Sequence, residues 1–409
     1  MARYGFDTQL VHGTRVYDDP ANPVNPPVYT ASTFAFPTAD SSPQWDYARS
    51  GNPTRQFVET QIARLETAGL DEDAVADVRS FAFASGLAAI HAILSTFAPG
   101  DVIVADKTVY GGTYSQLQDH FTRWGIVVRL VDFDDVDGVE RAVAGTGEFA
   151  GADGADGAVA KAVYFEALTN PLLALHDVAA VSEIAHRHGA ISIVDNTFLT
   201  PYLLRPLEFG ADVVLHSATK YLGGHSNVIA GLATVRGKDL ADRVYFAQNR
   251  LGGILSPRDC EVLRTGIQTL ALRLDRQSAS AEIVARTLAD DDRVKTVNYP
   301  SLAEAGSPTA EAARTLGVTA FGGVLSFEVA DGIDPLAVLD GLHLFTRAVS
   351  LGAVESLAEY PARMTHFEIP KPQRLEFGIT DELLRLSVGI ENVDDLLADL
   401  RQALDAAAK

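Results

Sequence analysis

The sequence predicts an α/β protein: a mostly parallel central sheet, an extended N-terminal arm before it and a C-terminal α+β domain after it. Three observations carry this reading. Residues 1–53 are rich in Pro, Asn and Thr, as in "DDPANPVNPPVYTASTF". From Pro53 to about 250, apolar runs alternate with helix-like segments. From 257 a long helix-like run leads into a few further strands and a last helix. The expected domains are therefore 1–53, 54–256 and 257–409.

Each element has a local reason. In the arm, every Pro removes a backbone donor and restricts its neighbour, so little regular helix is expected. The strand-like runs are "DVIVAD" (101–106), "GIVVRLVDF" (125–133), "AVYFEA" (162–167), "AISIVDN" (190–196) and "ADVVLHS" (211–217). Helix-like segments at 54–69, 85–97, 112–123 and 177–188 lie between them, and strands separated by helices imply parallel pairing with both faces covered. "GTGEFAGADGADGAVA" (145–160) reads as an exposed loop. The helix-like run at 257–291 precedes strands near 322–330 and 384–389 and a final helix at 393–407.

Composition narrows the function. A chain of 409 residues, 47% hydrophobic and 21% charged, can bury a large core. Its single Cys260 excludes an intramolecular disulfide framework and a Cys-based zinc site, and no metal is expected. No apolar run reaches membrane-span length, and "MARYGFDTQL" lacks the apolar core of a signal peptide, so a cytoplasmic location is expected and a membrane partner is not. A net charge of −21 repels phosphate backbones and argues against nucleic acid.

Lysine is scarce, seven against 26 arginines, yet "HSATKYLGGHSNVIAG" (216–231) keeps Lys220 among Ser, Thr and Gly. "DVVLHSATK" is a strand running into a turn, and ligands of parallel sheets bind outside the carboxyl ends of strands. A partly desolvated Lys there has a lowered pKa and can attack a carbonyl. An isolated loop Lys is usually just solvated, but this one has company. Asp195 ends the run "ISIVD", where it can hold a pyridinium nitrogen protonated. Ser85, Gly86 and Leu87 begin a helix, a natural phosphate seat. Ser217 and Thr219 offer hydroxyls to the same group, and Tyr110 offers a flat ring for stacking. An Asp at a strand end is often only a cap, and Ser-Gly is often a turn. Four such features in order at strand–helix junctions point to pyridoxal 5'-phosphate.

Those residues resemble the pyridoxal-phosphate-dependent Cys/Met-metabolism, or trans-sulfuration, enzymes. The resemblance runs nearly end to end through "NPPVYTASTF", "YARSGNPTR", "FASGLAAI", "YGGTY", "VDNTF", "HSATKYLGGHS", "LSPRDCEVLRTGIQTLALR", "VSLGAVESL" and "RLSVGIE". It implies the aspartate-aminotransferase-like architecture (fold type I). It implies that Lys220 is the Schiff-base lysine and Asp195 the ring-nitrogen partner. Ser85, Gly86, Leu87, Thr197, Ser217 and Thr219 would surround the cofactor, and Tyr110 would stack on it. Tyr47 and Arg49 match a pair that reaches the neighbouring subunit's phosphate, implying a homo-oligomer with a shared active site, a dimer of dimers. Arg385, helped by Ser350 and Asn170, matches the clamp for the substrate α-carboxylate.

The chain departs from the family pattern at Ala167-Leu168, where Ser/Thr-Pro is usual, and at Asn227, where Asp is usual. Two further positions bear on the substrate. Members that grip a long charged tail carry Arg at the position of Ser115 and Glu at that of Val349; Glu355 and Arg363 are the nearby charges that could replace them. Methionine γ-lyases share Val349 but carry Cys in place of Gly112. The resemblance thus implies a carbon–sulfur lyase performing γ-elimination on a sulfur amino acid, of cystathionine/methionine γ-lyase type. The alternatives are γ-replacement on an O-acylhomoserine, β-elimination of cystathionine and, remotely, a non-catalytic cofactor-binding regulator.

Overall fold

The computed structural model describes residues 4–13, 22–151, 157–367 and 369–408. Seven strands form the larger sheet: β1 (Val78–Phe83), β2 (Val102–Asp106), β3 (Val127–Val131), β4 (Ala162–Glu166), β5 (Ile191–Asp195), β6 (Val213–Ser217) and β7 (Gly231–Arg236). Their order is β1-β7-β6-β5-β4-β2-β3. Strands β2 to β6 pair in parallel, and β7 runs against both of its neighbours. Alternate residues feed two cores: Val194 and Val214 face one, Ile193, Val213 and Leu215 the other. Burial on both faces is why the parallel strands β2 to β6 are mostly apolar.

All five expected runs of this sheet are strands, and the sequence reading missed β1 and β7. Their sequences, "VRSFAF" and "GLATVR", carry hydroxyls where a buried strand is usually aliphatic. The pairing explains this: Ser80 Oγ and Thr234 Oγ1 face each other at 2.7 Å across β1 and β7, so neither is left unsatisfied.

A second sheet, ordered β10-β11-β12-β9-β8, is built from β8 (Val294–Asn298), β9 (Val324–Val329), β10 (Thr346–Arg347), β11 (Leu357–Glu359) and β12 (Leu383–Ser387). Strands β9 and β12 and the final helix Val393–Ala407 stand where expected; β8, β10 and β11 did not show in the sequence. We propose the boundaries 1–53, 54–256 and 257–409 for the arm and the two sheet-bearing units.

Three local expectations need correction. The run at 257–291 is two helices, Pro257–Ile267 and Leu270–Ala289. Arg273 donates to the Gly266 carbonyl at 2.7 Å and to the Tyr221 carbonyl at 2.7 Å, capturing an acceptor at the break. The segment at 112–123 is a short α-helix, Gly111–Ser115, followed by a π turn, Gln116–Phe121. The arm contains a helix, Phe6–His12, whose buried Leu10 docks on the core while its carbonyl accepts from Gln61 at 2.9 Å. Within the expected loop 145–160, Gly147–Phe149 forms a 3-10 turn and residues 152–156 lie outside the described ones.

Candidate active site

The carboxyl ends of β4, β5 and β6 and the loop after β2 open on one cavity of about 270 Å³. Its lining includes Ser85, Gly86, Leu87, Tyr110, Asn170, Asp195, Thr197, Ser217, Thr219, Lys220, Val349, Ser350 and Arg385. Thirteen of the sixteen residues singled out in the sequence thus meet at one place.

Lys220 follows β6 and is largely enclosed, with Nζ donating to Ser350 Oγ at 2.9 Å. Burial first, and the nearby Arg385 second, lower its pKa to about 8, though Glu359 pulls the other way. A neutral amine is therefore accessible near physiological pH. Asp195 ends β5; its Oδ1 accepts from Thr197 N at 2.9 Å and Thr197 Oγ1 at 2.5 Å. The same Thr197 hydroxyl accepts from Ser217 N at 2.8 Å, joining the ends of β5 and β6. Burial raises the Asp195 carboxyl above its ordinary range.

The phosphate seat lies at the start of the helix Gly86–Leu94. Ser85 Oγ caps it, accepting from Ala88 N at 3.1 Å. A Cβ on Gly86 would lie 3.0 Å from Ser217 Cα, and one on Gly231 would lie 2.0 Å from the Ser85 carbonyl oxygen. Only glycine lets the helix end approach β6 and β7 this closely. The Thr219 hydroxyl already exchanges hydrogen bonds with Ala230, donating at 3.2 Å and accepting at 3.0 Å.

Arg385 stands on β12 and is 2% exposed. Its Nη1 donates to Asn170 Oδ1 at 2.8 Å and its Nη2 to the Ser350 carbonyl at 2.7 Å, while its Nε has no hydrogen-bond partner. A buried guanidinium with an unpartnered N–H suits a carboxylate. Asn170 N donates to Glu166 Oε2 at 3.1 Å, so Ala167-Leu168 leaves Asn170 at the site.

Three expected residues are not in this cavity. Ser115 lines a separate hollow with His91, Asp119 and His120, and its hydroxyl donates to Asp119 at 2.9 Å. Its short side chain is turned toward Asp119, one turn further along the chain. Tyr47 and Arg49 are exposed on the arm; Arg49 stacks on Tyr47 at 5.3 Å and donates to Asn249 at 3.0 Å.

The site also holds residues that sequence reasoning missed. Glu166, at the end of β4, is paired in register with Asp195. Its Oε1 accepts from Tyr110 N at 2.6 Å, fixing the start of the tyrosine's helix. Burial first and Asp195 second push its carboxyl well above the usual range. Its signal was a charge closing the apolar run "AVYFE". Glu359, in ion-pair contact with Arg385, gave none.

These residues fit pyridoxal phosphate. Asp195 and Glu166 bring two carboxyls together where a ring N–H⁺ could be held, the crowded helix start can take a phosphate, and Lys220 offers an amine. Comparison with known proteins decides the family. The family described as Cys/Met metabolism PLP-dependent enzyme matches residues 7–405. The chain belongs to this family. It is 44% identical over 398 residues to a cystathionine beta-lyase of Lactococcus lactis, covering 97% of this chain and 98% of the relative. It is 42% identical over 398 residues to a cystathionine gamma-lyase of Bacillus subtilis, with the same coverage. Among solved structures it matches cystathionine gamma synthase from Xanthomonas oryzae in complex with cystathionine, with TM-score 0.90, 35% identity and 99% of both chains covered.

Membership makes pyridoxal phosphate the cofactor of this Cys/Met-metabolism enzyme. The enzyme class read from the sequence, a pyridoxal-phosphate-dependent carbon–sulfur lyase of the trans-sulfuration family, holds, as does the fold type I architecture. Among the described residues no helix is long and apolar enough to cross a membrane.

Proposed function

We propose that the enzyme catalyses γ-elimination on sulfur amino acids with small, neutral tails, releasing a thiol, ammonia and a 2-oxo acid. One observation carries this reading. The cavity's charged lining (Glu166, Asp195, Lys220 and Arg385) lies where cofactor and α-carboxylate would sit, while Leu168, Ile229 and Val349 add apolar surface. A tail site of this kind accepts a thioether without asking for a second charge.

Bound pyridoxal phosphate would supply the electron sink. The protein's part is placement and proton transfer. Arg385, with Asn170 and the Ser350 carbonyl, fixes the α-carboxylate. Lys220 holds the cofactor and then, as a free amine, removes the Cα proton. Asp195 keeps the ring nitrogen protonated. Tyr110, over the cavity, gives a proton to the departing sulfur. Gly86, Leu87 and Ser217 would seat the phosphate, completed by Tyr47 and Arg49 of a second copy. The exposed position of those two, outside their own cavity, supports a homo-oligomer with shared sites.

A second reading has its own support. A neighbouring hollow shares Thr219, Ile229, Val349 and Ser350 with the cavity and contains Glu355 and Asn227. Glu355 could hold a distal ammonium, favouring cystathionine. Product analysis separates the readings. Methionine should give a volatile thiol and 2-oxobutanoate. Cystathionine yields cysteine and 2-oxobutanoate by γ-elimination, but homocysteine and pyruvate by β-elimination. O-acetylhomoserine with a thiol would reveal γ-replacement. Pyruvate as the sole 2-oxo acid would overturn the proposal.

A further inference from the structure

The clamp for the substrate carboxylate is already held by a carboxylate. Glu359 on β11 stands opposite Arg385 on β12 in the antiparallel register. Its Oε1 lies 2.9 Å from Arg385 Nη1, with side-chain exposures of only 1% and 3%. Thr365 Oγ1 donates to the same oxygen at 2.8 Å. The other oxygen, Oε2, has no hydrogen-bond partner.

The charged surroundings come from several elements. Arg385 faces Glu359 from β12, and Lys220 acts on it from the turn after β6. Beyond Thr365 lies His366, whose Nδ1 is 2.9 Å from the threonine hydroxyl. Burial first and Arg385 second hold that imidazole neutral, with its pKa lowered to about 4. Arg374 bears on His366, and Tyr110 and Tyr221 bear on Arg385. One full cation, the Arg385 guanidinium, therefore serves Glu359 at contact distance.

A ligand carboxylate arriving at Arg385 gives this guanidinium two buried anions. Burial already pushes the Glu359 carboxyl above its ordinary range, against the pull of Arg385, the Thr365 hydrogen bond and Lys220. A second anion acts in the same direction as burial. We propose that Glu359 is a positioning residue that aims Arg385 at the cavity and takes one proton from solvent as the substrate carboxylate binds. The step balances: one anion and one proton enter together, no covalent bond to carbon changes, and both leave when the ligand does. Binding of any carboxylate at this clamp is thereby coupled to pH. The inference rests on the reading of Arg385 as the substrate clamp.

The test uses the cofactor-loaded enzyme and 4-(methylthio)butanoate, which is methionine without its amine. This probe cannot react with the cofactor and carries no ammonium proton. Calorimetric titrations in buffers of different ionisation enthalpy count the protons taken from solvent. The expected result is a net uptake approaching one proton per ligand near neutral pH, abolished in Glu359→Gln. Should that variant fail to fold, Thr365→Val leaves both charges and removes the donor; it should move the uptake window to higher pH. Binding by the native enzyme without proton uptake, or undiminished uptake in Glu359→Gln, overturns the inference while leaving the clamp intact. Failure of the probe to bind overturns the clamp reading and the inference with it.

Discussion

Lys220 Nζ donates to Ser350 Oγ at 2.9 Å, and the carbonyl of the same Ser350 accepts from Arg385 at 2.7 Å. One residue of the C-terminal unit therefore sets both the amine and the carboxylate clamp. Ser350 does so at φ 92, a backbone conformation that a side-chain-bearing residue adopts only under constraint. The two sheets meet at the chemistry through this residue.

Lys220 should capture cofactor with a midpoint set by its lowered pKa. The neutral amine is the nucleophile, and it predominates above about pH 8 instead of the ordinary 10.5. The rate of cofactor uptake by apoenzyme should therefore climb through pH about 8. Lys220→Ala should eliminate borohydride-fixable cofactor and almost all activity. Peptide mapping after reduction checks the attachment; cofactor fixed to another lysine would refute it.

Glu166 makes the apoenzyme sensitive to alkali. Its folded pKa is raised, so the native chain keeps a proton that the unfolded chain has lost. Stability should thus fall as pH rises above the ordinary carboxylate range toward the folded pKa. Glu166→Gln should flatten this dependence and raise the apoenzyme melting temperature at alkaline pH. Thermal melts across pH, without cofactor, measure it.

Arg49 is exposed, and its substitution should cost the fold within about 0.5 kcal/mol. Arg49→Ala should instead weaken cofactor retention, by about 10-fold or more for a lost charge-assisted contact. Mixing inactive Lys220→Ala subunits with Arg49→Ala subunits should restore activity, since one mixed site carries both native residues. Absence of complementation in verified mixed oligomers would count against a shared site.

Val349→Glu installs a charge at the tail end of the cavity. The ratio of kcat/KM for cystathionine over methionine should rise by about 1–3 kcal/mol, roughly 5- to 150-fold. Steady-state kinetics on both substrates tests this. A native enzyme that strongly prefers cystathionine, with the ratio unmoved by the substitution, would contradict the neutral-tail reading.

The legible parts were those with local causes. Apolar runs buried on both faces gave β2 to β6, and junction chemistry gave Lys220, Asp195 and the helix start at Gly86. Strands β1 and β7 were hidden because their hydroxyls satisfy one another only after pairing. The sequence could not rank its strand-end carboxylates. Asp106 ends β2 as Asp195 ends β5, yet Asp106 is consumed by His176 at 2.9 Å. Glu166 stayed unread because its partner in register is 29 residues away. Glu359 belongs to a three-residue strand and acquires meaning only opposite Arg385. Ser115 lies outside the cavity because a family position fixes a backbone site, while the length of the side chain decides what it reaches.

Glu166 and Asp195 lie side by side in register at the carboxyl ends of neighbouring strands of the larger sheet. Burial and the neighbouring Asp195 keep a proton on Glu166 in the empty enzyme, and a positive ring nitrogen nearby would favour the charged carboxylates instead. The vitamin-derived cofactor would thus serve as a structural counter-ion as well as a reagent. A cell short of the vitamin would hold empty chains that lack the stabilisation a bound ligand gives the folded state, and these would be more open to its proteases. Enzyme abundance would then follow nutrient supply with no change in gene expression.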